Sequence, residues 1–385
     1  MKRAFVSIAK TAFNLIYKYE SHKNKRENLV VFFSRQTNDP SYDFDVLAHE
    51  FESRGWSAIM HLKKVTRKTL LPYTKHVFKE LQLLASCKVA ILDRYDPVIS
   101  LLDLECETID TTNNTQNQEF PILPFVLQLW HAFGAFKKFG YQSSDTTEGH
   151  SSEFSSIFNI HRNYSWIVCS GEQTRAAFAE AFSYPIERVI PLNRPEFDEL
   201  LNLRNETASE ASAKEDPLPN VLMAPTLRKN KASAHPFRNL HQHRSQFENN
   251  VEASIIWSFH PLEEKLPAPG NVSESLVTCD IVVTDYSSIA YEAYALGKMV
   301  LFYVPDIESY RVSPGLNADP FEICPDICLM TENELTEALN MYSINPESYP
   351  YDQLSTFAAS AFDELTDDRT TAARIVDFVF KQLGK

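Results

Sequence analysis

Residues Asp280-Ile281-Val282-Val283-Thr284-Asp285-Tyr286-Ser287-Ser288 decide the fold. The β-branched run Ile281–Val283 reads as a short strand that fills both faces of a parallel sheet. Polar residues stop it. Ser287 and Ser288 then stand where a helix begins, ahead of the alanine-rich segment Ile289–Leu296. Serine is a favoured N-cap, and a helix start offers free N–H groups and a partial positive charge. Strand, polar elbow, helix is the general form of a phosphate cradle. An ordinary capped helix of an α/β domain looks the same, so this stretch alone specifies a fold class and not a ligand.

Working outward, three more segments end an apolar run in a polar or charged side chain. They are Val-Leu-Met-Ala-Pro-Thr-Leu-Arg (221–228), Trp-Ser-Phe-His-Pro (257–261) and Gln-Leu-Trp-His (128–131). In open α/β sheets, ligands bind at such carboxyl ends of strands. Strand-like runs at Leu29–Phe33, Ala58–Leu62, Val89–Leu92, Val126–Trp130, Trp166–Cys169 and Val189–Leu192 alternate with helical patterns at Asp45–Arg54, Val77–Ala85 and Gln173–Phe182. A second set holds Val221–Ala224, Ala253–Trp257, Ile281–Val283 and Val300–Tyr303, with helices at Ile289–Leu296, Glu332–Met341 and Thr371–Gln382. Such alternation implies parallel, doubly wound sheets. Between the sets, residues 203–219 are charged, small and proline-ended, which reads as a linker or surface loop. The division expected is an amphipathic helix over 1–26, a Rossmann-like domain over 27–202, a linker over 203–219 and a second Rossmann-like domain over 220–385.

In this order, the segments resemble the CDP-glycerol glycerophosphotransferase family, the teichoic-acid polymerases and primases. That family carries Trp-His-Gly, Pro-Thr-x-Arg, His-Pro, Asp-Tyr-Ser-Ser and an Asp-x-x-x-Tyr pair, which is Asp306 and Tyr310 here. Ser34-Arg35-Gln36 and Asp93-Arg94-Tyr95-Asp96-Pro97 extend the resemblance through the first half. An ordered set is far more specific than any one motif. The sequence departs from the family at Trp130-His131-Ala132-Phe133-Gly134-Ala135-Phe136-Lys137, where the glycine is displaced and the lysine lies one residue further on. It departs again at Glu292, where aspartate is commoner, and at Pro325-Asp326. The resemblance implies two domains facing a cleft in the GT-B manner and a reaction without cofactor. It also implies a CDP-glycerol or CDP-ribitol donor, a lipid-linked acceptor, and a cytoplasmic enzyme peripheral on the inner face of the cell membrane. A nucleotide-sugar transferase and an inactive nucleotide-binding scaffold are the other readings of such a chain; the intact His131, Arg228, His260 and Ser287 speak against the scaffold.

Composition sets outer bounds. A chain of 385 residues with 44% hydrophobic content suits two domains. A net charge of −14 argues against nucleic acid, which needs a basic footprint. Six scattered cysteines read as reduced core thiols. No apolar run reaches the roughly 18 residues of a membrane span. Residues 1–26 differ from the rest, with seven Lys/Arg against Glu20 alone. Phe5, Ile8, Ala9, Ala12, Phe13, Ile16 and Tyr19 follow helical spacing, with Ser7, Lys10, Thr11, Asn14 and Lys18 opposite. This pattern fits a helix packed on its own protein, or one lying on an anionic membrane, and the basic bias favours the membrane.

Phosphoryl transfer to a hydroxyl requires that the hydroxyl be positioned and lose a proton, and that charge on the leaving phosphate be stabilised. His131, at a strand end before a loop holding Gly134, is the candidate base, since an imidazole pKa of ~6.5 lies near working pH. Gly134 and Lys137 are assigned to the acceptor side. His260, held by Pro261, is the second candidate catalytic residue; the resemblance places it on the donor pyrophosphate and the leaving CMP. Thr226, Arg228, Asp285, Ser287, Ser288 and Glu292 are assigned to the donor. Arg228 offers a fork suited to phosphate. Asp285 is expected to orient neighbouring donors or bind ribose, and Glu292 to accept from ribose or polyol hydroxyls. Asp43-Phe44-Asp45 reads as helix-start acids rather than a metal motif. No metal ligands are assigned.

Overall fold

A computed structural model describes residues 2–65, 70–104, 124–210, 218–228, 235–259, 272–363 and 367–384. The first half runs α1 (Lys2–Lys23), β1 (Glu27–Ser34), α2 (Tyr42–Ser53), β2 (Ser57–Leu62), α3 (Leu70–Ser86), β3 (Cys87–Leu92), α4 (Pro97–Leu101), β4 (Phe125–Gln128), α5 (Ser152–Phe158), β5 (Trp166–Cys169), α6 (Arg175–Phe182) and β6 (Val189–Pro191). The second runs α7 (Glu196–Glu210), β7 (Asn220–Met223), α8 (Pro236–Gln242), α9 (Arg244–Glu248), β8 (Ser254–Trp257), α10 (Val272–Thr278), β9 (Ile281–Thr284) and α11 (Ile289–Ala295). It closes with β10 (Met299–Tyr303), α12 (Ile307–Val312), α13 (Pro320–Ile323), β11 (Cys328–Leu329), α14 (Glu332–Ile344), α15 (Tyr351–Ala358) and α16 (Thr371–Gln382).

Both sheets are parallel throughout. The first has strand order β2-β1-β3-β4-β5-β6 and the second β11-β10-β9-β7-β8. The strand period of two sorts β1 between layers. Val31 and Phe33 meet Leu81 and Leu84 of α3 on one face. Val30 and Phe32 meet Phe44, Leu47 and Phe51 of α2 on the other. In each sheet the chain winds outward from one strand and returns on its far side. The order therefore reverses between β1 and β3 in the first sheet, and between β7 and β9 in the second. At such switch points the flanking loops diverge and leave a crevice outside the carboxyl ends.

Three features fall differently from the sequence expectation. First, residues 203–210 continue helix α7 instead of forming a linker. Leu200, Leu201 and Leu203 pack into the core of the second half, and that burial outweighs a polar composition. Second, α16 returns to the first half. Ala372, Ile375, Val376 and Val379 are buried beside α2, so the last helix does not share the second core. Asp198 of α7 fastens this return, accepting from the Thr371 N–H and hydroxyl at 2.7 Å each.

Third, α1 is a helix whose two faces differ from the expected ones. Val6, Asn14, Tyr17 and Glu20 face inward, and α3 is the neighbour it packs against most extensively. The Asn14 amide donates to the Leu101 carbonyl and accepts from the Asp103 N–H. Arg26 donates to the carbonyls of Leu84 and Cys87 and to the Tyr17 hydroxyl. Phe13 and Ile16 also pack on this core. Phe5, Ile8, Leu15 and Tyr19 instead stand 66–72% exposed on the opposite side.

Candidate active site

The switch point of the second sheet is crossed by one carboxylate. Asp285 follows β9 and is fully buried. Its Oδ1 accepts from the N–H of Thr226, after β7, and from the N–H of Tyr286, both at 2.7 Å. Its Oδ2 pairs with Arg228 Nη2 at 2.7 Å. The other end of the guanidinium meets Asp306, 3.2 Å from Nη1. Tyr286 donates its hydroxyl to Asp306 at 3.1 Å. The rings of Tyr286 and Tyr310 stack 3.7 Å apart, and the guanidinium lies 4.6 Å from the Tyr310 centroid and 5.3 Å from that of Tyr286. Burial lowers the Arg228 pKa, but Asp285 and Asp306 outweigh it and hold the charge firmly. Arg228 is therefore not the open phosphate fork that the sequence suggests, because both its Nη groups are already engaged. The polar atoms left over at these strand ends are Arg228 Nε and several hydroxyls. Thr226 Oγ1 and Ser258 Oγ are covered and have no hydrogen-bond partner. Ser287 and Ser288 are half-buried, and Ser288 caps α11 without a side-chain bond. Ser258 escaped sequence reasoning; its signal was a position one residue past strand β8. His260 lies outside the described residues.

His131 stands at the carboxyl end of β4. Trp130 before it holds a left-handed φ of 64°, a conformation that costs a bulky residue ~1–3 kcal/mol and tends to persist at functional sites. Its N–H donates to Gln128 Oε1 at 3.0 Å, and its ring stacks on Phe139 at 5.2 Å and meets Phe182 edge-on. The His131 ring bonds to the backbone of Asp93, and its Nδ1 is covered with no partner. Burial, then the charges of Arg94 and Arg194, hold the imidazole pKa well below its ordinary value. The ring is therefore neutral at neutral pH and able to take a proton. It lines a cleft of about 520 Å³ at the carboxyl ends of β1, β3 and β4, together with Arg35, Arg94, Lys137 and Lys138. Leu227 and Pro314 of the second half close one side.

The loop after His131 clasps the two halves together. Lys137 bridges to Leu316, the Lys138 N–H donates to the Gly315 carbonyl at 2.9 Å, and the N–H groups of Asn317 and Ala318 both donate to the Phe136 carbonyl. Gly134 does not line the cleft. Its N–H donates to Ser170 Oγ at 2.8 Å, and its Cα lies against the ring of Tyr291 on α11. Glu292 is likewise apart from the Arg228 cluster. It faces Arg194, Glu196 and Asp43, and burial, then Glu196, push its carboxyl up to about 7. Arg194 pairs there with Asp43 at 2.7 Å and lies 4.7 Å from the Phe133 centroid. The expected donor set is thus split: Thr226, Arg228, Asp285, Ser287 and Ser288 share the second switch point, while Glu292 sits at the seam between the halves. Among the described residues, His61, His76 and Glu80 place three potential metal-ligand atoms within 4.8 Å of one another. The two imidazoles stack 3.7 Å apart at 7°, so their in-plane lone pairs run parallel instead of converging.

A protein-family model described as CDP-Glycerol:Poly(glycerophosphate) glycerophosphotransferase matches residues 15–381. The chain is similar to the teichoic acid poly(ribitol-phosphate) polymerase of Bacillus spizizenii, 27% identical over 383 residues and covering 93% of this chain and 57% of that protein. It is also similar to the teichoic acid glycerol-phosphate primase of Bacillus subtilis, 24% identical over 282 residues and 68% of each. The chain spans about half to three fifths of the length of the ribitol-phosphate relatives it matches. Among solved structures, the wall teichoic acid polymerase TagF shares the fold, with a TM-score of 0.65 at 16% identity over 99% of this chain and 98% of that one.

Proposed function

Since the chain belongs to the CDP-glycerol:poly(glycerophosphate) glycerophosphotransferase family, we propose that it moves glycerol phosphate from CDP-glycerol to a hydroxyl of a lipid-linked polyol-phosphate or sugar acceptor, releasing CMP, in the synthesis of a teichoic-acid-like polymer. The observation that carries this reading is a neutral, half-buried His131 in a cleft rich in cations, facing a second switch point lined with unengaged hydroxyls. His131 accepts the proton of the acceptor hydroxyl. The freed oxygen attacks the phosphorus that bears the polyol, the pyrophosphate P–O bond breaks, and CMP leaves with that bond's electron pair. Thr226, Ser258, Ser287 and Ser288 donate to the donor phosphates. His260, by the family resemblance, meets the leaving group. Arg228 acts as a positioning residue: pinned by Asp285 and Asp306, it fixes the loop that carries Thr226. A second reading, ribitol phosphate from CDP-ribitol, draws support from the name of the Bacillus spizizenii polymerase matched over most of this chain. Incubation with CDP-glycerol or CDP-ribitol and a lipid-linked acceptor, with CMP followed by chromatography, separates the two. No CMP from either donor would sink both.

The acceptor is lipid-linked in this reading, so the enzyme works at the inner membrane face. Among the described residues no helix is long and apolar enough to cross a membrane. The exposed stripe of Phe5, Ile8, Leu15 and Tyr19 on α1, with Lys18, Lys23 and Lys25 exposed nearby, is the docking surface proposed. Deleting α1 would strip the Tyr17–Arg26 packing as well, so the sharper test replaces the four exposed residues with serine. That variant should keep its thermal midpoint and leave anionic vesicles in sedimentation. Sedimentation equal to the wild type would move the membrane contact elsewhere.

A further inference from the structure

We propose that Leu227 sets the length of the polyol that the donor carries, admitting the three carbons of glycerol and disfavouring the five of ribitol. This rests on the transferase reading above and decides between its two donors.

Position is the first reason. Thr226 belongs to the donor crevice outside β7 and β9, and His131 to the cleft outside β4. The phosphorus under attack has to meet both, because the donor hydroxyls hold its oxygens while the acceptor oxygen freed by His131 approaches it. Leu227 follows Thr226 directly and lines the cleft that holds His131. Of the described residues of the second half, only Leu227 and Pro314 line that cleft. The reacting phosphorus therefore lies beside Leu227, and the polyol it bears runs along Leu227 and Pro314.

Rigidity is the second reason. The chain is pinned on both sides of Leu227. The Thr226 N–H donates to Asp285 Oδ1 at 2.7 Å. Arg228 is tied to Asp285 at 2.7 Å and to Asp306 at 3.2 Å. Pro314 is buried, and Gly315 after it is held twice. Its N–H donates to the Tyr310 carbonyl at 3.0 Å, and its carbonyl accepts from Lys138 across the seam at 2.9 Å. A wall fixed in this way cannot withdraw from a longer chain, and a length limit needs a stop that stays in place.

Chemistry is the third reason. Each carbon that ribitol has beyond glycerol carries a hydroxyl. The leucine side chain and the proline ring offer that hydroxyl neither a donor nor an acceptor. Pressed against them it leaves water without a partner, which is penalised. Leu227 is half-buried, so part of its side chain remains open to the cleft and available for this contact. Glycerol ends short of it. An extra methylene or an unpaired hydroxyl in an apolar site is discriminated by about 10–200-fold.

The test measures kcat/KM for CDP-glycerol and CDP-ribitol with a lipid-linked acceptor. It also measures calorimetric affinities of the full chain for both donors and for CDP, which has no polyol. Wild type should favour CDP-glycerol about 10–100-fold in both measurements, a readout that needs no variant to fold. Leu227→Ser, shorter and hydroxyl-bearing, should cut that preference about ten-fold or more. Leu227→Met, apolar and similar in size, should keep it. CDP should bind wild type and both variants alike. Because the readout is a ratio between donors, a loss of folded protein cancels out of it. Four results would each overturn the assignment: a wild-type preference for CDP-ribitol, a Leu227→Ser ratio equal to wild type, a Leu227→Met variant as permissive as Leu227→Ser, or a loss of CDP affinity in Leu227→Ser. Turnover of neither donor, with an affinity ratio that still follows residue 227, would instead remove the transferase reading and leave the role of Leu227 standing.

Discussion

Replacing Gly134 with alanine tests whether the His131 loop is held by close packing against the second half. Gly134 has a φ of +64°, where an L side chain costs ~1–2 kcal/mol. Its added Cβ would lie 2.2 Å from Cε2 of Tyr291 and 2.5 Å from Cζ. Carbon atoms in contact sit ~3.5–4.0 Å apart, so the ring would have to retreat by more than about 1 Å. It has little room: Tyr291 is 2% exposed, stacks on Phe357 at 5.3 Å and meets Phe136 edge-on at 6.3 Å. Overpacking of this kind costs ~1–3 kcal/mol. The sum is a loss of ~2–5 kcal/mol, seen as a lower midpoint in urea. A double-mutant cycle separates the parts. In a Tyr291→Ala background the clash is gone, and Gly134→Ala should cost only the backbone share of ~1–2 kcal/mol. Because the same loop carries His131 and Lys137, turnover should fall in Gly134→Ala. An alanine variant within ~0.5 kcal/mol of wild type, or one equally costly in both backgrounds, would refute the packing explanation.

Asp285→Asn keeps the acceptor oxygen for the Thr226 and Tyr286 N–H groups but removes the charge facing Arg228. Breaking a buried pair costs ~3–5 kcal/mol, so denaturation should show that loss and calorimetry should show weaker CDP-glycerol binding. Glu292 holds its proton up to about pH 7 when folded, against an ordinary carboxyl value near 4.5. The folded state therefore binds the extra proton across that window, and stability attributable to this group falls as pH rises through it. Glu292→Gln should gain ~2–3 kcal/mol relative to wild type between pH 4.5 and pH 8, as urea midpoints at the two ends will show; a constant difference would mean that Glu292 ionises normally. The acid limb of kcat/KM should lie below pH ~6.5, since the free imidazole is depressed, and the limb of kcat should lie higher, since bound anions offset Arg94. Coincident limbs would mean that the substrates leave His131 unperturbed.

Much of this was readable in the chain because local chemistry and tertiary position coincide. Ile281–Val283 and Val221–Met223 lie in strands because β-branched and apolar runs suit the middle of a parallel sheet, and Asp285 and Thr226 follow them because the ligand crevice lies there. Strand order was not readable, since it depends on which helix face each crossover covers. It is strand order that makes Arg35 and Arg94 neighbours. The pairing of Arg228 with Asp306 spans 78 positions, and no local pattern marks it. Residues 203–210 looked like a linker because their helix is stabilised by the core it touches and not by its own composition. The inward face of α1 was hidden because Asn14 and Glu20 are polar, and their burial is satisfied by partners such as the Leu101 carbonyl and the Asn24 amide. Trp130 gave no sign of its left-handed backbone, which glycine or asparagine would have signalled.

The central claim is that His131 removes the proton from an acceptor hydroxyl while a CDP-activated polyol phosphate is transferred. His131→Asn tests it most directly, because a side-chain amide can keep the hydrogen bond to the Asp93 backbone and cannot act as the base. CMP release and new phosphodiester should be followed together by chromatography, with CDP-glycerol or CDP-ribitol and a phosphate-linked polyol acceptor. Wild type should form one diester per CMP. His131→Asn should lower that rate by roughly 10²–10⁴-fold with donor affinity nearly unchanged. Wild-type turnover in His131→Asn, or CMP release by wild type without diester formation, would contradict the account.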